Sequence, residues 1–178
     1  LANQLMLVTG PMARTVEDLR TVWPILAGSH RRDPDTVPFV SANRPAGRVK
    51  VAVVTAPPGG ATAPEISANV REVADVLSDA GYDVNQVEPP MIEEAITLWG
   101  RWLSWEFGTI ADTIRAIVAP DAWRFYEAFT QRHPAADYAS SVEMLVQRHV
   151  VARAWTAFLA EYPLIVGPVL CQPQFDHA

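Results

Sequence analysis

The chain has 178 residues, 49% of them hydrophobic and 19% charged, which is typical of a globular domain with a sizeable core. Its 20 acidic and 14 basic residues give a net charge of −6, which argues against nucleic acid as a partner because phosphate binding needs clustered Lys and Arg. The single cysteine, Cys171, excludes an internal disulfide framework and a cysteine-based zinc site. The sequence has no long apolar run, which argues against a membrane span, and its first residues have no basic region, which argues against a secretory peptide. We therefore expect a cytoplasmic location.

The first predicted element is a capped helix that follows a Gly-Pro turn at residues 10 and 11. Thr15 and Asp18 have the spacing of a capping box, in which the Thr hydroxyl accepts from a backbone amide and the Asp side chain reaches back. Apolar residues then recur at helical spacing as far as Gly28, and Pro24 predicts a kink because it removes one backbone hydrogen bond.

The next segment has the order strand, helix, strand. A β-branched run, VKVAVV, occupies residues 49–54, apolar residues recur at helical spacing over 65–80, and alternation resumes over 82–87. Gly81 is a suitable stop for the helix between them. This βαβ pattern predicts two parallel strands joined by a right-handed crossover, and therefore an α/β fold.

The remainder of the chain is predicted to be mostly helical. One helix is expected over residues 91–117, a shorter one over 121–130, and a long amphipathic helix over 140–161. The run LIVGPV after Pro163 is short and apolar throughout, as in strands at the centre of a sheet.

The candidate catalytic side chains each have a structural explanation. Ser140 and Ser141 could supply a nucleophile, but they begin a predicted helix, where serine is a preferred cap. Glu93 and Glu94 are adjacent, so on a helix they point in different directions and do not form a carboxylate pair. No histidine has metal-ligand spacing; the four are His30, His133, His149 and His177. These residues alone reveal no activity, and we expect no metal site.

The most distinctive side chains are the aromatic residues of the helix predicted over 91–117. Trp99, Trp102 and Trp105 recur at three-residue spacing there, close to Phe107. They either pack in the core, where buried aromatic rings contribute much of the stability, or line an apolar substrate pocket. The sequence leaves both readings open.

The stretch GPMARTVEDL at residues 10–19, followed by a helix to LAGSH and by RRDPDT, resembles a junction found in enzymes of the amidase signature family. The residues that carry the resemblance are Gly10, Pro11, Met12, Ala13, Arg14, Thr15, Val16, Asp18 and Leu19. The later order of strand, helix, strand, helical region, long helix and apolar strand is also similar to that family.

The resemblance implies a mixed sheet with flanking helices and the hydrolysis of a carbon–nitrogen amide bond by serine acyl transfer, without a metal or organic cofactor. In the family, a nucleophilic serine, a serine in a cis peptide and a lysine form the catalytic triad, and all three lie upstream of this junction. The sole lysine here, Lys50, lies downstream, so no catalytic residue can be assigned in this chain.

We therefore expect one segment, residues 1–178, from the C-terminal half of an amidase. It divides into the junction and helix (1–35), the βαβ unit (46–90), a variable helical region (91–134), and the long helix with its strand (137–170). The segment alone is expected to be inactive, with the remainder of the amidase and a small-molecule amide as partners and a homodimer as a further possibility. The alternative is a non-catalytic α/β module for binding or oligomerisation.

Overall fold

The computed structural model describes residues 10–32 and 47–173, so the stretch DPDT at residues 33–36 lies outside the described residues. The elements, in chain order, are α1 (Val16–Leu26), β1 (Lys50–Val53), α2 (Pro64–Asp79), β2 (Asp83–Gln86), α3 (Ile92–Thr109), α4 (Ala111–Ile117), α5 (Pro120–Arg132), α6 (Tyr138–Glu161) and β3 (Leu164–Val166). None of the helices in these ranges is long and apolar enough to cross a bilayer.

The sheet has the strand order β2-β1-β3. Both neighbours run parallel to β1, with Val51 opposite Val84 on one side and Leu164 on the other. This confirms the predicted βαβ unit and the α/β class. A mixed sheet was expected, and the three described strands are all parallel.

The sheet and α2 share one small core. Val53 of β1 is buried against Val70 and Ala74 of α2, and the half-buried Val84 and Val166 pack beside them. Pro64 begins α2 in the first turn, where its missing N–H costs nothing. The apolar face of α2 therefore covers one side of the parallel strands.

The helices α3 and α6 enclose a second core. Leu98, Trp102, Ala136 and Met144 are buried together there. The single helix predicted over residues 91–117 is in fact two, because α3 ends at Thr109 and α4 begins at Ala111. Gly108 weakens the last turn of α3, and the Thr109 hydroxyl donates to the carbonyl of Glu106 at 2.6 Å, which favours a helix end at this point.

The start of α6 differs from the predicted one. Asp137 is the cap: its carboxylate accepts from the Ser140 amide at 2.8 Å, and the Ser140 hydroxyl accepts from the Asp137 amide at 3.0 Å, which forms a capping box. Ser140 thus takes part in the cap as the third residue of the helix, and Asp137 is the capping residue itself. The hydrogen bonds from the Ser140 side chain and backbone lower the pKa of the Asp137 carboxyl.

Candidate functional site

The junction residues form the start of α1. The Asp18 amide donates to the Thr15 hydroxyl oxygen at 3.1 Å, which confirms Thr15 as the cap. The Thr15 amide does not donate to the Asp18 carboxylate, so the return bond expected of a capping box is not formed here. Gly10, Pro11 and Arg14 precede the helix on the surface or close to it. No chemistry is visible in their arrangement, and their part is to begin the helix.

The apolar face of α1 is left open to solvent in the described part of the chain. No residue of this helix is buried, although its apolar side chains recur at helical spacing. Val16 is 65% exposed, and Ile25 and Leu26 are exposed as well. An amphipathic helix obtains most of its stability from packing that face against something, so this surface needs a cover.

The three candidate tryptophans are placed in different surroundings. Trp102 is 1% exposed at the centre of the α3–α6 core, and Trp105 packs against the same cluster. Trp99 is 43% exposed and meets the ring of Phe129 on α5 edge-to-face, with centroids 5.8 Å apart. The structure therefore joins Trp102 and Trp105 to one core and separates Trp99 from it.

A cavity of about 430 Å³ lies between α3 and α6, lined in part by Glu93, Glu94, Glu143 and Ser140. The Ser140 hydroxyl is the only hydroxyl among these four side chains, and it donates to the Asp137 carboxylate at 2.5 Å. A carboxylate whose pKa is lowered is a weak general base, so this pair does not activate the hydroxyl. The contacts of Ser140 agree with capping and not with nucleophilic catalysis.

A second cavity of about 320 Å³, called here the α3–α5 cavity, lies between α3 and the end of α5. Its polar lining includes Thr97 and Arg101 from α3, and Arg132 and His133 from the end of α5. Sequence reasoning missed the two arginines because they are 31 positions apart in the chain. Gly100, a glycine inside a helix, could have signalled the close approach of His133, but it gives no signal for the two arginines.

Lys50 has a structural role. Its Nζ donates to the Glu161 carboxylate at 2.9 Å and lies 5.3 Å from the centroid of the Tyr162 ring. The hydrogen bond to Glu161, followed by the attraction of that carboxylate, raises the pKa of Lys50. A lysine acting as a base needs a lowered pKa, so this one fastens the start of β1 to the end of α6 instead.

No cluster of three or more His, Cys, Asp or Glu side chains able to hold a metal ion occurs within residues 10–32 and 47–173. The residues described here therefore offer neither a metal centre nor an activated nucleophile. What they do offer is a parallel sheet covered on one side by α2, with several apolar faces open.

The chain belongs to the amidase family, since the profile described as Amidase matches residues 2–178. This confirms the resemblance to the amidase signature family that the junction at residues 10–19 carries. Among its relatives is an indoleacetamide hydrolase of Bradyrhizobium japonicum, 28% identical over 171 residues, which make up 95% of this chain and 37% of that protein. An indoleacetamide hydrolase of Bradyrhizobium diazoefficiens is 27% identical, with 95% of this chain and 33% of that protein covered.

A solved structure of a fatty acid amide hydrolase is similar in fold, with a TM-score of 0.69 over 91% of this chain and 30% of that one. At 18% identity the likeness concerns the fold alone. The chain thus spans about a third of the length of the proteins that it matches.

Proposed function

We propose that this chain is part of an amidase that hydrolyses a carbon–nitrogen amide bond by serine acyl transfer. The observation that carries the proposal is the family match over residues 2–178. The family resemblance implies that the Ser, cis-Ser and Lys of the triad lie upstream of the junction. Two contacts support this: Lys50 is engaged with Glu161, and no described serine has a base beside it other than the weak Asp137 carboxylate. The chain then provides scaffold, and the remainder of the amidase provides the reacting groups.

The open apolar surfaces support a covering partner of that kind. A groove of about 810 Å³ runs between α2 and the segment that follows β3, and it is lined mainly by apolar side chains. Val169 and Leu170 at its edge are 99% and 66% exposed. Exposed apolar patches mark surfaces that are buried in an assembly, and the matched segment makes up only 33–37% of the relatives, whose further chain could supply the cover.

The substrate that we propose is a small aryl-acetamide. Both relatives from Bradyrhizobium are named as indoleacetamide hydrolases, and together with the exposed ring of Trp99 this favours an aromatic substrate held partly by stacking. Trp99 is the best candidate of the three tryptophans for the pocket wall, since Trp102 is committed to the core. Its replacement, Trp99→Ala, in a catalytically competent full-length amidase should raise KM for indole-3-acetamide with little change in kcat, and an unchanged KM would remove Trp99 from the pocket.

The 178-residue chain by itself should be inactive. Purified chain incubated with indole-3-acetamide should release no ammonia above the buffer rate, because we place the triad in the remainder of the amidase. Sustained turnover that scales with the concentration of the chain would overturn this assignment.

Acyl transfer itself is testable in a full-length enzyme that contains the chain. Hydroxylamine added to the reaction should divert the acyl-enzyme to a hydroxamate in proportion to its concentration, since an ester intermediate partitions between nucleophiles. Amide hydrolysis without any hydroxamate would contradict a serine ester intermediate.

The alternative is a non-catalytic module that binds a partner or forms a homodimer. The open apolar face of α1 and the groove between α2 and the segment after β3 favour this alternative as much as they favour the amidase. Light scattering on the isolated chain separates the two proposals. A stable dimer that covers these faces favours the module, whereas a monomer that binds an added N-terminal amidase portion favours the enzyme. Either would act in the cytoplasm, which stays a prediction from the single Cys171.

A further inference from the structure

The α3–α5 cavity brings basic groups from two helices to one place. Arg101 lies on α3, and Arg132 and His133 end α5. The Thr97 hydroxyl lies one helical turn before Arg101, on the same face of α3, because residues four apart on a helix are neighbours. All four side chains carry hydrogen-bond donors.

The guanidinium groups of Arg101 and Arg132 form no ion pair within 4.0 Å and no side-chain hydrogen bond in the described ranges. Glu93 also lines the cavity, but it precedes Arg101 by eight residues, about 12 Å along the helix axis. The charge of Arg101 helps to lower the pKa of the Asp137 carboxyl, and Glu94 and Glu143 line the neighbouring α3–α6 cavity together with Arg101. None of the described carboxylates lies within ion-pair distance of either guanidinium, so the N–H groups of both are open to a ligand.

The His133 ring is held in place at this end. It lies over Gly100, where even a methyl group would overlap the imidazole. The ring of Phe129 lies beside it, with centroids 4.9 Å apart, and the His133 backbone amide donates to the Phe129 carbonyl at 2.9 Å. A ring packed on two sides keeps its nitrogens in a fixed direction, which makes it a preorganised donor or acceptor.

We propose that the α3–α5 cavity binds a small oxyanion, a carboxylate or a phosphate, between Arg101, Arg132 and His133. A guanidinium presents its N–H groups in a fork that matches the two oxygens of such an anion, and two unpaired forks at one cavity give both charge and direction. At about 320 Å³ the cavity is at the small end of ligand sites and has ample room for a small oxyanion. Thr97 supplies a neutral hydroxyl donor.

The test is an NMR titration of the full 178-residue chain with sodium acetate and, separately, with sodium phosphate. Sodium chloride keeps the ionic strength constant, so that a general salt effect is cancelled. The amide resonances of Thr97 and His133 should shift and saturate with at least one of the two anions. Saturation by acetate alone assigns a carboxylate ligand, and saturation by phosphate alone assigns a phosphate ligand.

Charge-removing variants locate the site. Arg101→Gln and Arg132→Gln should each weaken binding roughly tenfold or more, the range for loss of a charged hydrogen bond. Arg124→Gln is the matched control, because it removes the same charge from α5 at a residue that is paired with Asp121 at 2.9 Å. It should bind like the unmodified chain. Arg132 is exposed, so its variant should fold even if Arg101→Gln does not.

Two results would overturn the proposal. One is that neither anion gives saturating shifts, or that the amide shifts are spread over the whole surface, which indicates only weak accumulation of ions. The other is equal weakening in Arg124→Gln and Arg132→Gln, which indicates net charge and not the cavity. Neither result bears on amide hydrolysis.

Discussion

Replacing Gly100 by alanine should destabilise the chain, although the same change inside an ordinary helix stabilises it by about 1 kcal/mol. An ideal Cβ at this position would lie 2.5 Å from Cγ and 2.8 Å from Cε1 of the His133 ring. Non-bonded carbon atoms pack at about 3.5–4.0 Å, so the ring would have to retreat by roughly 1 Å. Phe129 lies beside that ring and restrains the movement.

Overpacking of this kind costs about 1–3 kcal/mol. Subtracting the gain in helix propensity of about 1 kcal/mol leaves a net loss of about 1 kcal/mol for Gly100→Ala. Urea unfolding, followed by circular dichroism at 222 nm, measures a difference of this size. The free energy of unfolding of the variant should be lower than that of the unmodified chain.

Gly108→Ala is the matched control on the same helix. No heavy atom lies within 4 Å of an ideal Cβ there, so the variant should gain up to about 1 kcal/mol. The prediction is therefore a difference in sign between two identical substitutions on α3. If both variants are stabilised alike, His133 does not rest on Gly100 and the geometry of the α3–α5 cavity is wrong.

Trp102→Ala should lower the free energy of unfolding by about 3–5 kcal/mol in urea, because it leaves a cavity in the α3–α6 core. Trp99→Ala, at a half-exposed position, should lower it clearly less, and similar losses would contradict the placement of the two rings. The pKa of Asp137 is lowered in the folded chain, so its contribution is present above its unfolded pKa and is lost as the pH falls through the folded value. Asp137→Asn should flatten acid unfolding curves in that range, and unchanged curves would count against the cap. The pKa of Lys50 is raised, so its contribution is present below its unfolded pKa of about 10.4 and is lost as the pH rises through the folded value. In Glu161→Gln, NMR titration should return that pKa toward its ordinary value, and a pKa that stays raised would exclude Glu161 as the cause.

The regular elements were largely predictable from the sequence. The strands β1 and β2 and the helix α2 were confirmed within one or two residues, because periodicity and the stop at Gly81 are local signals. Two predictions were wrong for local reasons as well. The helix predicted over 91–117 breaks after Thr109, whose hydroxyl donates to a carbonyl of its own helix. The helix predicted to begin at Ser140 begins two residues earlier, because Asp137 and Ser140 form its capping box.

The candidate site was less predictable. The junction at residues 10–19 identified the family, and that identification is confirmed. The α3–α5 cavity could not be predicted, because Arg101 and Arg132 meet only through tertiary packing of two helices. The division of the chain into four parts and the choice of tryptophan in the pocket stay predictions, since both concern contacts with protein that the described residues do not include.

The strand order has a consequence for how the chain folds. β1 pairs on one side with β2, which follows it closely in the chain, and on the other side with the much later β3. The ion pair of Lys50 with Glu161, beside the pairing of β1 with β3, joins residues that are 111 positions apart. Everything from α3 to α6 is therefore one loop closed by the pairing of β1 with β3, and closing so long a loop is entropically costly and slow. The loop contains its own core around Trp102, which can form from nearer contacts. We infer that the β1–β2 unit and the helical loop form first, and that their joining along β3 is the late step of folding.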